Sequence, residues 1–306
     1  MKTTILASAM LALSSLAPTI STAADFKPAT FESGALQVEQ LSNQGPAIVF
    51  IPGLASGAWT WRDSATRLAK SHSVYLLTLP GFDGRKPVAG TNFESLSKDL
   101  RSLIETRKLS RPVLVGHSLG GTLSLSFAAE NSALVSGVIA VDGLPVFPGT
   151  EGISGDRSAL AQQARAQLAG QTPEQFAAYQ QTYMGRFGVI DPATASRLAE
   201  LSGRSDPGAT ADFAAQVLML DLRPKLPAIK VPVIEISPFH APDFAAMGVD
   251  ENAKTNYYRM LLQGVAKLDV VSVSPARHFV MFDQPEKFAA ALDGALAKVL
   301  ELSAAQ

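Results

Sequence analysis

Short, wholly apolar runs alternate along most of this chain with stretches at helical spacing. Ala47-Ile48-Val49-Phe50-Ile51 is apolar at every position, which predicts a strand covered on both faces. Ser73 to Leu79 predicts a second, stopped by Pro80-Gly81, and Val113-Leu114-Val115 and Gly137 to Val141 predict two more. Ala35 to Leu41 instead alternates apolar and polar residues, as an exposed or edge strand does. Phe93, Leu96, Leu100, Leu103 and Ile104 recur at helical spacing behind Asn92, which predicts a capped amphipathic helix. Val231 to Ile236 and Leu268 to Val273 supply two late strands. Phe288, Leu292, Leu296, Val299 and Leu300 form one stripe of a closing helix. Buried strands alternating with helices predict an α/β fold, a mostly parallel central sheet with helices on both faces. No internal repeat is visible.

Residues 146–225 break this rhythm. They lack strand character and read as four helices, Ser158–Ala169, Pro173–Met184, Pro192–Leu201 and Ala209–Leu220, punctuated by Pro and Gly. An insertion between two core strands predicts a helical cap over the carboxyl edge of the sheet, where open α/β folds bind ligands. The expected organisation is therefore a core of residues 25–145 and 226–306 with a cap at 146–225. Phe176, Tyr179, Tyr183, Met184 and Phe187 give the cap an apolar inventory, most of it expected to hold cap to core.

Residues 1–24 read as an export signal rather than part of the fold. Lys2 precedes an uncharged apolar stretch from Ile5 to Leu16, Pro18 breaks it, and Ser21-Thr22-Ala23-Ala24 offers small residues for cleavage. The expected location is periplasmic or extracellular. Cysteine is absent, so an exported chain of this kind must rely on its core rather than on disulfides. Basic and acidic residues nearly balance, 26 against 27, without runs of either sign, which argues against a nucleic-acid partner. No apolar stretch after the signal approaches the length of a membrane span, so stable membrane insertion is not expected.

The chemistry concentrates at Gly116-His117-Ser118-Leu119-Gly120-Gly121. An apolar strand runs into Gly-x-Ser-x-Gly and then into a helical pattern carrying Leu123, Leu125, Phe127 and Ala128. A sharp strand-to-helix turn exposes a serine hydroxyl at a strand tip, and its flanking glycines remove side chains that would clash there. Ser118 is therefore the candidate nucleophile. It needs a base. Of four histidines, His72 precedes a strand, and His117 sits inside the elbow, with its side chain expected to point away from the nucleophile. His240 lies in a Pro-rich loop, and His278 follows the last strand in Arg277-His278-Phe279. A loop at the carboxyl end of a strand shares an edge with Ser118, and position, chain order and the following Phe279-Val280-Met281-Phe282 favour His278. Gly53, after the strand at 47–51, lets backbone approach substrate closely. The N–H groups of Leu54 and Leu119 would then form a two-donor oxyanion hole.

These motifs resemble the capped, lipase- and esterase-like α/β-hydrolases, and the resemblance covers nearly the whole chain after the signal. Gly-His-Ser-Leu-Gly-Gly, Pro80-Gly81-Phe82-Asp83-Gly84 and Arg277-His278-Phe279 fall in the family's order. Pro52-Gly53 stands where the family commonly has His-Gly. The resemblance implies a third residue, an acid, with two candidates. Asp243 lies later than the family's usual position after the strand at 231–236, while Asp142, at the end of the strand at 137–141, matches the position used by some relatives. Asp142 is preferred, although a carboxylate there could simply cap the turn through Gly143. The implied activity is a secreted serine hydrolase cleaving a small or lipid-like ester through an acyl-enzyme. Acyl transfer, thioester or polyester-oligomer hydrolysis on the same triad, and a silent binding protein, stay open. Serine at position 118 argues against epoxide-hydrolase or dehalogenase chemistry. No cofactor or metal is implied.

Overall fold

The computed structural model describes residues 26–304, so the segment expected to be an export signal lies outside the described residues. Eight strands form one sheet: β1 (Ala29–Ser33), β2 (Leu36–Gln40), β3 (Ala47–Ile51), β4 (Ser73–Thr78), β5 (Val113–His117), β6 (Gly137–Val141), β7 (Val233–Pro238) and β8 (Leu268–Val273). Their spatial order is β1-β2-β4-β3-β5-β6-β7-β8. β1 and β2 pair antiparallel at one edge, and every pair from β4 to β8 is parallel. The expectation of a mostly parallel sheet holds. β1, which the apolar pattern did not announce, is a half-exposed edge strand that offers little burial signal.

The helices are α1 (Arg62–Leu68), α2 (Phe93–Thr106), α3 (Leu119–Asn131), α4 (Ser158–Ala169), α5 (Pro173–Tyr183), α6 (Pro192–Ser202), α7 (Pro207–Met219), α8 (Ala241–Phe244), α9 (Glu251–Leu261), α10 (Val280–Asp283) and α11 (Pro285–Ala304). Continuous hydrophobicity along the central strands serves two cores at once. Val49, Ile51, Leu114 and Val138 face α2, α3 and α9, while Ile48, Phe50, Val113, Val115 and Ile139 face α1 and α11. Successive side chains alternate faces, so a strand covered on both sides has no polar position to spare.

α4 to α7 sit between β6 and β7, and their neck is closed by a bridge of Val146 with Asp221 and by the Leu222 N–H on the Pro145 carbonyl, 2.8 Å. Leu168, Phe176 and Ala211 from three of these helices cluster with Ala55, the residue after Leu54. Further ties reach the loop after β4: Asp206 N–H to Gly81 O, 2.7 Å, Asp83 N–H to Ser205 Oγ, 3.1 Å, and Phe82 against Phe213.

At the sheet's carboxyl edge, α3 starts close against the chain leaving β6. A Cβ on Gly121 would lie 2.8 Å from Gly143 Cα and 3.1 Å from Gly116 O, so the two backbones meet where only hydrogen fits. Alanine in a helix interior normally stabilises relative to glycine by up to ~1 kcal/mol. Gly294 in α11 faces open space and should follow that rule. Gly121→Ala should reverse it, costing about 1–3 kcal/mol through overpacking. Denaturant titration of the two variants checks the opposite signs.

Candidate active site

Ser118 sits at φ +52°, ψ −119°, between the last residue of β5 and the first of α3. The left-handed φ is strained for a residue with a Cβ. The strain is held by neighbours: the Ser118 N–H bonds to Val141 O at 2.9 Å, and the Thr122 N–H to Ser118 O at 3.0 Å. A Cβ on Gly116 would fall 2.2 Å from Gly120 O, and one on Gly120 would fall 2.3 Å from Ile51 O. The elbow is thus packed by backbone alone, and the Ser118 hydroxyl has no hydrogen-bond partner among the described residues.

Asp142, one strand over, also has a positive φ, +50°. Its Oδ2 meets His278 Nδ1 at 2.6 Å, and its Oδ1 accepts the Tyr258 hydroxyl. Burial alone would raise the Asp142 pKa. The charge of Lys254, the bond and charge of His278 and the Tyr258 bond outweigh it, and hold the carboxyl far below the usual range. An ionised carboxylate only accepts, so Nδ1 of His278 carries the hydrogen and Nε2 keeps a free lone pair. Nε2 has no partner among the described residues. Asp243 is engaged elsewhere: both its oxygens bind the Arg277 guanidinium, at 2.7 and 2.8 Å, and His240 Nδ1 lies 3.2 Å away.

His117 supports the His278 loop from behind. Its Nε2 bonds to the His278 carbonyl at 3.0 Å, and its ring lies 4.4 Å from that of His278. Burial, then the nearby His278 charge, push the His117 pKa down to about 3, so it remains neutral near pH 7. The His278 loop is also tied to the π-helical turn Met184–Gly188 that follows α5. The His278 N–H bonds to Phe187 O at 3.2 Å, and the Phe279 N–H to Gly188 O at 2.9 Å. Arg277 Nη1 donates to Gly185 O and Val189 O at 3.0 and 3.2 Å. π-turns of this kind recur at functional sites.

Ser118, Asp142, His278, Leu54 and Leu119 all border one cavity of about 1210 Å³ beneath α4, α5 and α7. Gly53 packs directly on the elbow, since a Cβ there would lie 3.1 Å from Ser118 Cβ. The N–H groups of Leu54 and Leu119 donate to nothing among the described residues. The Tyr183 and His278 rings meet nearly perpendicular, and the exposed Phe187 packs against Tyr183 at the cavity wall. Among the described residues no group of three or more His, Asp or Glu side chains is arranged to hold a metal ion. No helix among them is long and apolar enough to cross a membrane.

Three side chains in this constellation escaped the sequence reading: Lys254 and Tyr258 of α9, and Glu235 of β7. The 254–258 spacing puts the first two on one helix face, which was the available signal. A helix as polar as Glu251–Leu261 reads as surface, and a single Glu within the apolar Val233–Pro238 run does not reveal its neighbour.

Comparison with known proteins agrees with this architecture. The 2-(acetamidomethylene)succinate hydrolase of Mesorhizobium japonicum is 29% identical over 252 residues, covering 79% of this chain and 84% of that protein. Among solved structures, the enol-lactonase from Burkholderia xenovorans LB400 superposes with a TM-score of 0.69 at 20% identity, over 88% of this chain and 100% of that one. A thermophilic esterase from Thermogutta terrifontis gives 0.71 at 18% identity, over 90% and 99%. The alpha/beta hydrolase family model matches residues 48–291, spanning the sheet from β3 to β8 together with the nucleophile-type elbow, and this chain belongs to that family.

Proposed function

We propose that this protein is an exported serine hydrolase that cleaves an ester through an acyl-enzyme on Ser118, with His278 as general base and Asp142 as the acid that orients it. The observation that carries the reading is the 2.6 Å bond between Asp142 and His278 Nδ1, which leaves Nε2 free on the cavity that Ser118 also borders. Ser118 Oγ attacks the ester carbonyl carbon while its proton passes to His278 Nε2. The carbonyl oxygen, now an oxyanion, accepts the N–H groups of Leu54 and Leu119, which border the same cavity and are unpaired among the described residues. Collapse of the tetrahedral intermediate breaks the ester C–O bond, and the imidazolium returns the proton to the leaving alcohol. Water then attacks the acyl-enzyme by the same route and releases the acid. Asp142 stabilises the imidazolium at both stages, and its low pKa keeps it ionised throughout.

The relatives support hydrolysis as the reaction class, since the named activities among them are those of a hydrolase, a lactonase and an esterase. The cavity favours a substrate with an apolar portion, because Leu54, Leu168, Val217 and Leu218 line it and the aromatic residues of α5 and the π-turn cover it. Residues 1–24 supply the export signal in this reading.

A fluorophosphonate probe should label Ser118 in the folded protein. Ser118→Ala should abolish that labelling and lower kcat on nitrophenyl esters by at least about four orders of magnitude. Labelling that persists in Ser118→Ala would falsify the nucleophile assignment.

Asp142→Asn should reduce kcat by roughly 10⁴-fold, the scale seen when a triad acid becomes its amide. Asp243→Asn removes only an arginine's partner and should stay within about tenfold of wild type. The opposite ranking would move the acid to Asp243.

Replacing the Tyr183 or Phe187 side chain by Ala should shift the preferred acyl length across a panel of nitrophenyl esters more than it lowers the best kcat. The backbone bonds from Phe187 and Gly188 to the base loop do not depend on those side chains. An unchanged preference would leave these residues a purely structural role.

A further inference from the structure

A second carboxyl group lies directly beneath the candidate acid, and the mechanism above does not use it. Glu235 projects from the middle of β7 and is fully buried. It pairs in register with Ala140, two residues before Asp142. Its Oε1 accepts the Gly143 N–H at 3.3 Å, while its Oε2 has no partner. One residue earlier, the Asp142 N–H bonds to Ile236 O at 3.0 Å. β7 therefore grips the left-handed turn at Asp142 through two consecutive N–H groups, one taken by backbone and one by this side chain. From the other side, Gly121 packs on Gly143.

We propose that Glu235 is a positioning residue that fixes the Asp142–Gly143 turn as a neutral carboxylic acid, so that Asp142 alone presents negative charge to His278. This inference rests on reading Asp142 and His278 as the acid and base of the site. The geometry favours the neutral form, since an unpaired buried carboxylate oxygen costs more than an unpaired buried hydroxyl. A buried carboxylate needs donors at both oxygens, and here one oxygen has a single long bond and the other has none. The charged and titratable groups that face Glu235 are Asp142 at the end of β6, Lys254 and Tyr258 on α9, and His278 through Asp142. Burial first, then the Asp142 charge, raise the Glu235 pKa well above its ordinary range, against the smaller opposing pull of the Gly143 N–H and Lys254. An ionised Glu235 would place two anions against one ammonium group and would compete with Asp142 for the imidazolium.

The test compares Glu235→Leu and Glu235→Gln in the full chain. Leu removes the acceptor for the Gly143 N–H, and kcat should fall about 10- to 100-fold with KM within about twofold, because ground-state binding is untouched. Gln offers an amide oxygen to the same N–H without charge, and should recover kcat to within about threefold of wild type while the acid limb of the pH–rate profile stays in place. Stability should separate the two further. A carboxyl that is neutral when folded and ionised when unfolded favours the native state fully below about pH 4.5, and loses that contribution as pH climbs toward its raised folded value. The melting temperature of Glu235→Gln should therefore match wild type near pH 4.5 and exceed it increasingly up to pH 7.

Full kcat in Glu235→Leu would reduce Glu235 to core filling. A Gln variant as impaired as Leu, with its acid limb shifted to lower pH, would show that the residue acts as an anion. If Glu235→Leu does not fold, the Gln variant's kcat, pH profile and melting curve still decide. Fluorophosphonate labelling of wild-type Ser118 keeps the two readings apart. Its failure removes the triad, whereas normal labelling with unresponsive Glu235 variants removes only this proposal.

Discussion

Two left-handed turns on adjacent strands, at Ser118 and Asp142, set the position of everything else at this site. Each would be costly alone, because a side chain at positive φ crowds its own backbone. Here each turn braces the other. Ser118 N–H holds the last carbonyl of β6, and glycines at 121 and 143 let the start of α3 press against the chain leaving that strand. The parallel pairing of β5 with β6 fixes the register, so Ser118 and Asp142 emerge on one edge a strand's width apart. His278 then needs only to reach across from β8, and its loop is pinned by His117 from below and by the π-turn from above.

The electrostatics follow from this crowding. Asp142 is buried yet ionised, because Lys254, His278 and Tyr258 together outweigh the loss of water. The same burial keeps His117 neutral, and in our reading Glu235 as well, so charge at this edge is confined to the Asp142–His278 pair and Lys254. A low-dielectric site strengthens each of these interactions and makes an unpaired charge costly, which accounts for the number of donors turned toward a single carboxylate.

How far the sequence foretold this depended on what kind of signal each part carries. The central strands were legible because burial on both faces leaves an unbroken apolar run, and Ser118 because an elbow needs small residues at fixed spacing. The helices from Ser158 to Leu220 were legible from their Pro and Gly punctuation, although the last starts at Pro207 behind Asp206 rather than at Ala209. β1 and α9 were not, because an exposed edge strand and a polar helix look like surface. Asp142 and Asp243 both remained open for a different reason. Which carboxylate meets the imidazole depends on how the loop after β7 folds, and Arg277, by taking both oxygens of Asp243, turns that loop away. Such a contact joins residues 34 positions apart and leaves no trace in local pattern.

The bonds joining the His278 loop to the turn Met184–Gly188 bear on how this scaffold can be re-engineered. Two backbone N–H groups, at His278 and Phe279, end on carbonyls of the inserted segment, and Arg277 adds two more carbonyls from its flanks. The insertion and the imidazole therefore form one mechanical body. A chimera that exchanges residues 146–225 for those of a relative would replace half of the cradle holding the histidine. Grafts that spare residues 184–190 would preserve it, and the modular unit for transplantation is consequently smaller than the topological one.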